Sequence, residues 1–343
     1  MNIQQALMVL VEGQDLSRSE TQDVFQLIMS GQATPAQIGA FLAAIRVKGE
    51  TPQEVAGAAQ VMRDLSTTVE VTHPNLVDTC GTGGSGSKLF NISTAAAFVA
   101  AAAGAHVAKH GNRKMTSFCG SADVLEAAGV NLELSPEQIA TCVNEVGVGF
   151  MFAPAHHSAM RFAGPVRQEI GVRTMMNVLG PMTNPAGAKR QVIGVFSASW
   201  QRTMAEVLAI LGSEHAMIVH SEGLDEIRLD APTRVVELKD GDIKEFDIAP
   251  TDFGFEPITA ETTASLSADS TESSLALVKS AISNPATPES DIVALNAGAA
   301  IYVSGVATTL ANGVTMAQDA IASGLAKERL DELVRVTKLM GEI

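Results

Sequence analysis

The chain is 343 residues long, enough for two domains or for one large α/β domain with a smaller companion. Its composition, 46% hydrophobic and 18% charged, is that of a globular protein with a sizeable core. A formal net charge of −15 argues against general affinity for nucleic acid or anionic membrane surfaces.

Residues 1–66 carry three helix-start signals. Ser17 with Glu20, Thr34 with Gln37 and Thr51 with Glu54 have the spacing of capping boxes, and Pro35 and Pro52 stand at first helical positions. Val24, Phe25, Leu27 and Ile28, then Ile38, Phe41, Leu42 and Ile45, recur at helical spacing. A small all-helical domain over 1–70 is expected, with apolar packing faces and no catalytic group. The first residues lack the basic region of a secretory signal, so a cytoplasmic setting is expected. The most apolar run, 92–108, is interrupted by Ser93, Thr94, Gly104 and His106 and is too polar for a membrane span. Cys80, Cys119 and Cys142 lack C-x-x-C spacing, which suits a reducing compartment and no zinc site.

A short β-like run ending at Val77 opens the α/β region. Directly after it, Gly81, Gly83, Gly84 and Gly86 crowd together. No acidic residue occurs from Thr79 to Ala122, whereas Lys88, Lys109, Arg113 and Lys114 are all cationic, a positive island in a negative chain. Gly-rich turns let backbone N–H groups converge on an anion, and a helix over 94–103 would add its N-terminal dipole. The stretch therefore reads as a phosphate cradle. Gly81, Gly83 and Gly86 fit G-x-G-x-x-G, but the dinucleotide reading wants an acid about 20 positions on, and none precedes Asp123. The order Gly86-Ser87-Lys88 is not that of a P-loop. A strand over 105–108 would deliver Lys109, His110, Gly111 and Asn112 to the edge of the sheet, where ligands of such sheets bind. Helices over 123–128 and from Ser135-Pro136, and a buried strand over 148–152, follow.

Between 161 and 184, two Pro-containing turns predict a crossing between domains. Strands are expected over 191–196 and 216–220, with Asp225-Glu226 after the latter, and a hairpin of 235–238 and 243–248 around Asp240-Gly241. Residues 257–274 read as a mobile surface loop entering a helix, and 291–302, 316–323 and 326–340 as helices. The fold class is α/β: a small all-helical N-terminal domain plus a large α/β domain over 71–343, with a central mixed sheet flanked by helices.

Gly81-Thr82-Gly83-Gly84, Asn91-Ile92-Ser93-Thr94, Lys109-His110-Gly111-Asn112-Arg113 and Gly120-Ser121 resemble the signature of the anthranilate phosphoribosyltransferase family. The resemblance runs nearly end to end. It implies transfer of the phosphoribosyl group of 5-phosphoribosyl 1-pyrophosphate to the amine of anthranilate in L-tryptophan biosynthesis, with Mg2+ as cofactor. It also implies a homodimer through the helical domain, completion of that domain by about 165–190, and no nucleic-acid or membrane partner.

Carried over by position, the resemblance assigns phosphoribosyl pyrophosphate to Gly81, Gly84, Ser85, Asn91, Ile92, Ser93, Thr94, Lys109, His110, Gly111, Asn112, Arg113, Lys114, Met115, Thr116, Ser117 and Ser121. Anthranilate falls to Gly81, Asn112, His157 and Arg167, whose guanidinium offers a fork to the carboxylate; Arg161 and Arg173 are the rival arginines. His110 and His157 can equally be pocket or core residues. Ser93, Asp225 and Glu226 are the implied metal ligands, hard oxygen donors that suit Mg2+. No nucleophile or general base is implied, since the displacement needs positioning and charge stabilisation. Ser85, Leu89 and Phe118-Cys119 depart from the family's more polar residues, which bears on contacts to ribose and metal. Two other readings stay open. Pyrimidine nucleoside phosphorylases share a Lys-His-Gly-type segment, with the Pro165–Arg167 block and Asp225-Glu226 against them. A non-catalytic nucleic-acid binder would bind in a steeply salt-dependent way, and the net charge opposes it.

Overall fold

The structure, a computed structural model, describes residues 1–84, 86, 88–113 and 119–341. Of the residues singled out above, Ser85, Ser87, Lys114, Met115, Thr116, Ser117 and Phe118 lie outside the described residues.

Four helices open the chain: α1 (Ile3–Val11), α2 (Arg18–Met29), α3 (Pro35–Lys48) and α4 (Pro52–Asp64). All three expected capping boxes form, with Ser17, Thr34 and Thr51 accepting from the N–H groups of Glu20, Gln37 and Glu54. Each such cap is worth about 1 kcal/mol. Glu54 does more than cap. Its buried carboxylate also accepts the Leu16 N–H at 2.9 Å and pairs with Lys48 at 2.9 Å, which fixes the α1–α2 loop against α3 and α4.

The α/β region runs β1 (Leu76–Gly81), α5 (Ile92–Ala102), β2 (His106–Gly111), α6 (Ser121–Ala128), α7 (Pro136–Thr141), β3 (Val148–Phe152), α8 (Ala153–His156), α9 (Met160–Ile170) and α10 (Met176–Leu179). It continues with β4 (Arg190–Gly194), α11 (Gln201–Ile210), β5 (His215–His220), β6 (Thr233–Lys239), β7 (Asp242–Ile248), α12 (Ala260–Ser265), α13 (Thr271–Ala281), α14 (Pro288–Ser304), α15 (Leu310–Ala322) and α16 (Leu325–Gly341). The seven strands form one mixed sheet in the order β3-β2-β1-β4-β5-β6-β7, parallel from β3 to β5 and antiparallel through β6 and β7. The Asp240-Gly241 hairpin forms as expected: both residues have positive φ, 51° and 89°, the backbone that matches strand twist in a two-residue turn.

One core lies between the sheet and α5, α13, α14, α15 and α16; α14 is buried almost all round, as a helix between two layers must be. The other face of β4–β6 packs on α11 and on the N-terminal helices. Arg63 of α4 spans this junction, donating to the Met182 carbonyl at 2.7 Å.

Two expectations change. Pro165 does not mark a turn but sits inside α9, whose buried Ala163 and Val166 pack towards α2 and α3. That packing outweighs the roughly 3 kcal/mol a proline costs a helix interior. Residues 257–274 are not a loose loop. They contain α12, and Phe90 and Ala268 donate across to Leu266 and Lys88 carbonyls at 3.0 and 2.7 Å, so the segment is stitched to the glycine-rich stretch.

Candidate active site

The five parallel strands end on one side of the sheet. Chain order reverses about β1, with β2 on one side and β4 on the other, and this opens a crevice at their carboxyl ends. There β1 runs four residues past Val77, and its last residue, Gly81, pairs with Gly194 of β4. The crevice holds a cavity of about 360 Å³. Gly81, Gly84, Asn91, Ser93, Lys109, His110, Gly111, Asn112, Arg113, Ser121, Arg167, Asp225 and Glu226 all line it.

Lys109 and His110 belong to β2 itself rather than to the loop after it. Lys109 is 3% exposed; its ammonium donates to the Thr79 carbonyl and lies 3.4 Å from Ser93 Oγ. Burial lowers its pKa, opposed by Asp78, Cys80 and Glu226. Asp78, just outside the acid-free stretch, is therefore the buried counter-charge that the sequence did not single out. Its carboxylate also accepts the His110 N–H at 3.2 Å.

The acid pair reaches the crevice on a tight turn after β5, closed by reciprocal backbone bonds between Ser221 and Leu224 at 3.0 and 2.8 Å. Asn296 of α14 braces the far side, exchanging two 3.0 Å bonds with the backbone of Ile227. A Cβ on Gly81 would come within 2.9 Å of Asp225 Oδ2, so glycine there admits the carboxylate to the end of β1. Burial, then the Asp225 charge, push the Glu226 carboxyl up to about 8, against the pull of Lys109 and the Ser93 N–H. Asp225, Glu226 and Ser93, all lining the cavity, make a set of hard oxygen donors. That fits a divalent cation such as Mg2+, which commonly takes one or two carboxylates and completes its shell with water and phosphate. Among the described residues no three His, Cys, Asp or Glu side chains cluster as a full protein cage.

Arg167 lines the same cavity, as do Ala153, Met176 and Pro181. It is half-buried, burial lowers its pKa, and no carboxylate among the described residues pairs with it. Arg173, a rival in sequence, also lines the cavity but is engaged: it donates to the Gly84 carbonyl at 2.5 Å and stacks over Phe196 at 4.3 Å. It fixes the glycine-rich loop. Arg161 stands apart, over Phe162 at 4.7 Å.

Several expected contacts are not brought to the cavity. Ile92 is wholly buried in the core, and its N–H is taken by the Phe90 carbonyl at 2.7 Å. Thr94 faces inward one helical step on, its hydroxyl buried. His157 lies behind His110, with ring centroids 5.0 Å apart, rather than on the wall. Burial first, then neighbouring histidines, hold His110 down to about 3 and His157 to about 4, so both rings are neutral. Arg113 reaches the rim, but its guanidinium is paired with Glu126 at 2.5 Å and Asp123 at 3.4 Å. The positive island is thus smaller than its residue count.

Residues 73–327 match the glycosyl transferase family α/β domain, and 4–66 its helical bundle domain. The anthranilate phosphoribosyltransferase of Teredinibacter turnerae is 58% identical over 344 residues, 99% of this chain and 100% of its own length. That of Cellvibrio japonicus is 56% identical, with 99% and 100% covered. Among solved structures, the anthranilate phosphoribosyltransferase of Thermus thermophilus superposes with a TM-score of 0.91 at 41% identity, covering 97% of this chain and 99% of its own. The Saccharomyces cerevisiae enzyme in complex with PRPP and Mg has the same fold, with a TM-score of 0.88 at 24% identity over 98% of both chains.

Proposed function

The chain belongs to the anthranilate phosphoribosyltransferase family of glycosyl transferases, and we propose that the crevice at β1, β2 and β4 is where it joins anthranilate to phosphoribosyl pyrophosphate. The enzyme is a pentosyltransferase of tryptophan biosynthesis. The observation that carries the site reading is one cavity lined both by Arg167, which pairs with no carboxylate among the described residues, and by the Asp225-Glu226 pair.

In the reaction the bond from the anomeric carbon to pyrophosphate breaks as the anthranilate nitrogen bonds to that carbon, and the amine releases a proton. The glycine loop, Asn91, Ser93 and Lys109 hold the phosphates, with Asn112 and Ser121 at the mouth. Positioning and charge stabilisation do the work. The Arg167 guanidinium takes the anthranilate carboxylate bidentately, while Met176 and Pro181 offer the ring an apolar wall. Bound at Ser93, Asp225 and Glu226, Mg2+ would neutralise charge on the departing pyrophosphate. No general base is required, because an aromatic amine is neutral at pH 7.

A homodimer through the helical domain is part of the same proposal. Met8, Val11 and Val47 are 62%, 71% and 88% exposed on α1 and α3, apolar surface that a second copy would cover. We take residues 1–70, completed by about 165–190, as that domain, and the cytoplasm as the setting; no helix among the described residues is long and apolar enough to cross a membrane. Loss of anthranilate fluorescence on adding phosphoribosyl pyrophosphate and Mg2+ tests the activity. Consumption of a nucleoside and phosphate instead would favour the phosphorylase reading.

A further inference from the structure

Asn91 stands at the N-cap position of α5, yet its side chain makes no bond to its own helix. An N-cap asparagine ordinarily turns its carbonyl oxygen onto the first free N–H groups. Here the oxygen goes elsewhere. Ser274 of α13, 183 positions along the chain and 1% exposed, donates its hydroxyl to Asn91 Oδ1 at 2.7 Å. The same Ser274 Oγ accepts the Asn91 backbone N–H at 3.2 Å. A hydroxyl has one proton, and among the described residues Ser274 gives it to no other acceptor, so the amide end it touches must be the oxygen. The Nδ2 group of Asn91 then has no partner among the described residues, on a side chain that lines the cavity.

We propose that Ser274 is a positioning residue: by holding the Asn91 oxygen it keeps the amide NH2 turned into the crevice as a donor to a phosphate-bearing substrate. The proposal rests on the reading of the crevice as the phosphoribosyl pyrophosphate site. Without the hydroxyl, the Asn91 amide is free to rotate and cap α5 with its oxygen, which removes the donor and covers the helix end together. Ser274 touches no substrate and acts only through Asn91, so its effect must vanish when Asn91 is gone.

Steady-state kinetics of Asn91→Ala, Ser274→Ala and the double variant test this. Asn91→Ala should raise the KM for phosphoribosyl pyrophosphate about tenfold, the worth of one hydrogen bond to a charged group. Ser274→Ala should raise it several-fold, with the KM for anthranilate unchanged and Ser274→Thr restoring the wild-type value. The double variant should match Asn91→Ala alone. Equal, independent effects in the double variant would overturn the positioning role while leaving the site reading intact. An unchanged KM in Asn91→Ala would remove Asn91 from the site and the proposal with it. Should Ser274→Ala fail to fold, Asn91→Asp decides: it keeps the acceptor for Ser274 but offers no donor. It should weaken phosphoribosyl pyrophosphate at least as much as Asn91→Ala, and wild-type binding would overturn the proposal.

Discussion

A Cβ added to Gly194 would lie 1.7 Å from the backbone carbonyl oxygen of Asp225. The last residue of β4 thus leaves the room in which the acid-bearing turn sits, directly beside Gly81. Gly194 has no other reason to be glycine, since its φ is not in the left-handed region. Any side chain at 194 pushes the turn off the crevice.

Gly194→Ala is therefore expected to cut turnover by about a hundredfold, ~2.7 kcal/mol of transition-state stabilisation. Far-UV circular dichroism should stay as in the wild type. Turnover within a factor of two would mean that the placement of Asp225 and Glu226 is unimportant.

Arg167→Ala should raise the KM for anthranilate and leave that for phosphoribosyl pyrophosphate nearly unchanged. The lost charge-assisted pair is worth about 2–4 kcal/mol. Arg173 is held by Gly84 and Phe196 and is not free to substitute. Equal weakening of both substrates would assign the carboxylate to another group.

His110 and His157 give a pH dependence of stability. Their folded pKa values, about 3 and about 4, lie below the ordinary 6.5, so the unfolded chain binds the extra protons. The stability they contribute is complete above 6.5 and is lost as pH falls towards 4. Glu226, raised to about 8, titrates in the opposite sense, so a variant isolates the rings better than the raw curve. Urea unfolding at pH 7 and pH 5 should show that His157→Asn removes about 1–2 kcal/mol of the acid loss. Identical pH slopes in variant and wild type would place the ring in solvent.

Local signals in the sequence carried far. The capping boxes and the Asp240-Gly241 hairpin each depend on neighbours within a few positions, and each forms where its residues stand. What stayed hidden depends on distant partners. Asp78 looks like any acid until β1 and β2 pair and set it near Lys109. Asn296 braces the acid turn and Ser274 turns Asn91, yet neither carries a motif. Ile92 and Thr94 share a motif with Asn91 and Ser93, but in the first turn of α5 their side chains are buried and do not line the cavity. His157 packs against His110, with 5.0 Å between ring centroids, and does not line the cavity itself.

The account turns on the carboxylates beyond β5. Turnover of the double variant Asp225→Asn, Glu226→Gln, followed by anthranilate fluorescence with saturating phosphoribosyl pyrophosphate and Mg2+, tests it most directly. The expected result is a fall of at least about a hundredfold, ~2.7 kcal/mol, with the fold intact and the wild-type enzyme silenced by a chelator. Wild-type turnover by the double variant in the presence of chelator would contradict the account.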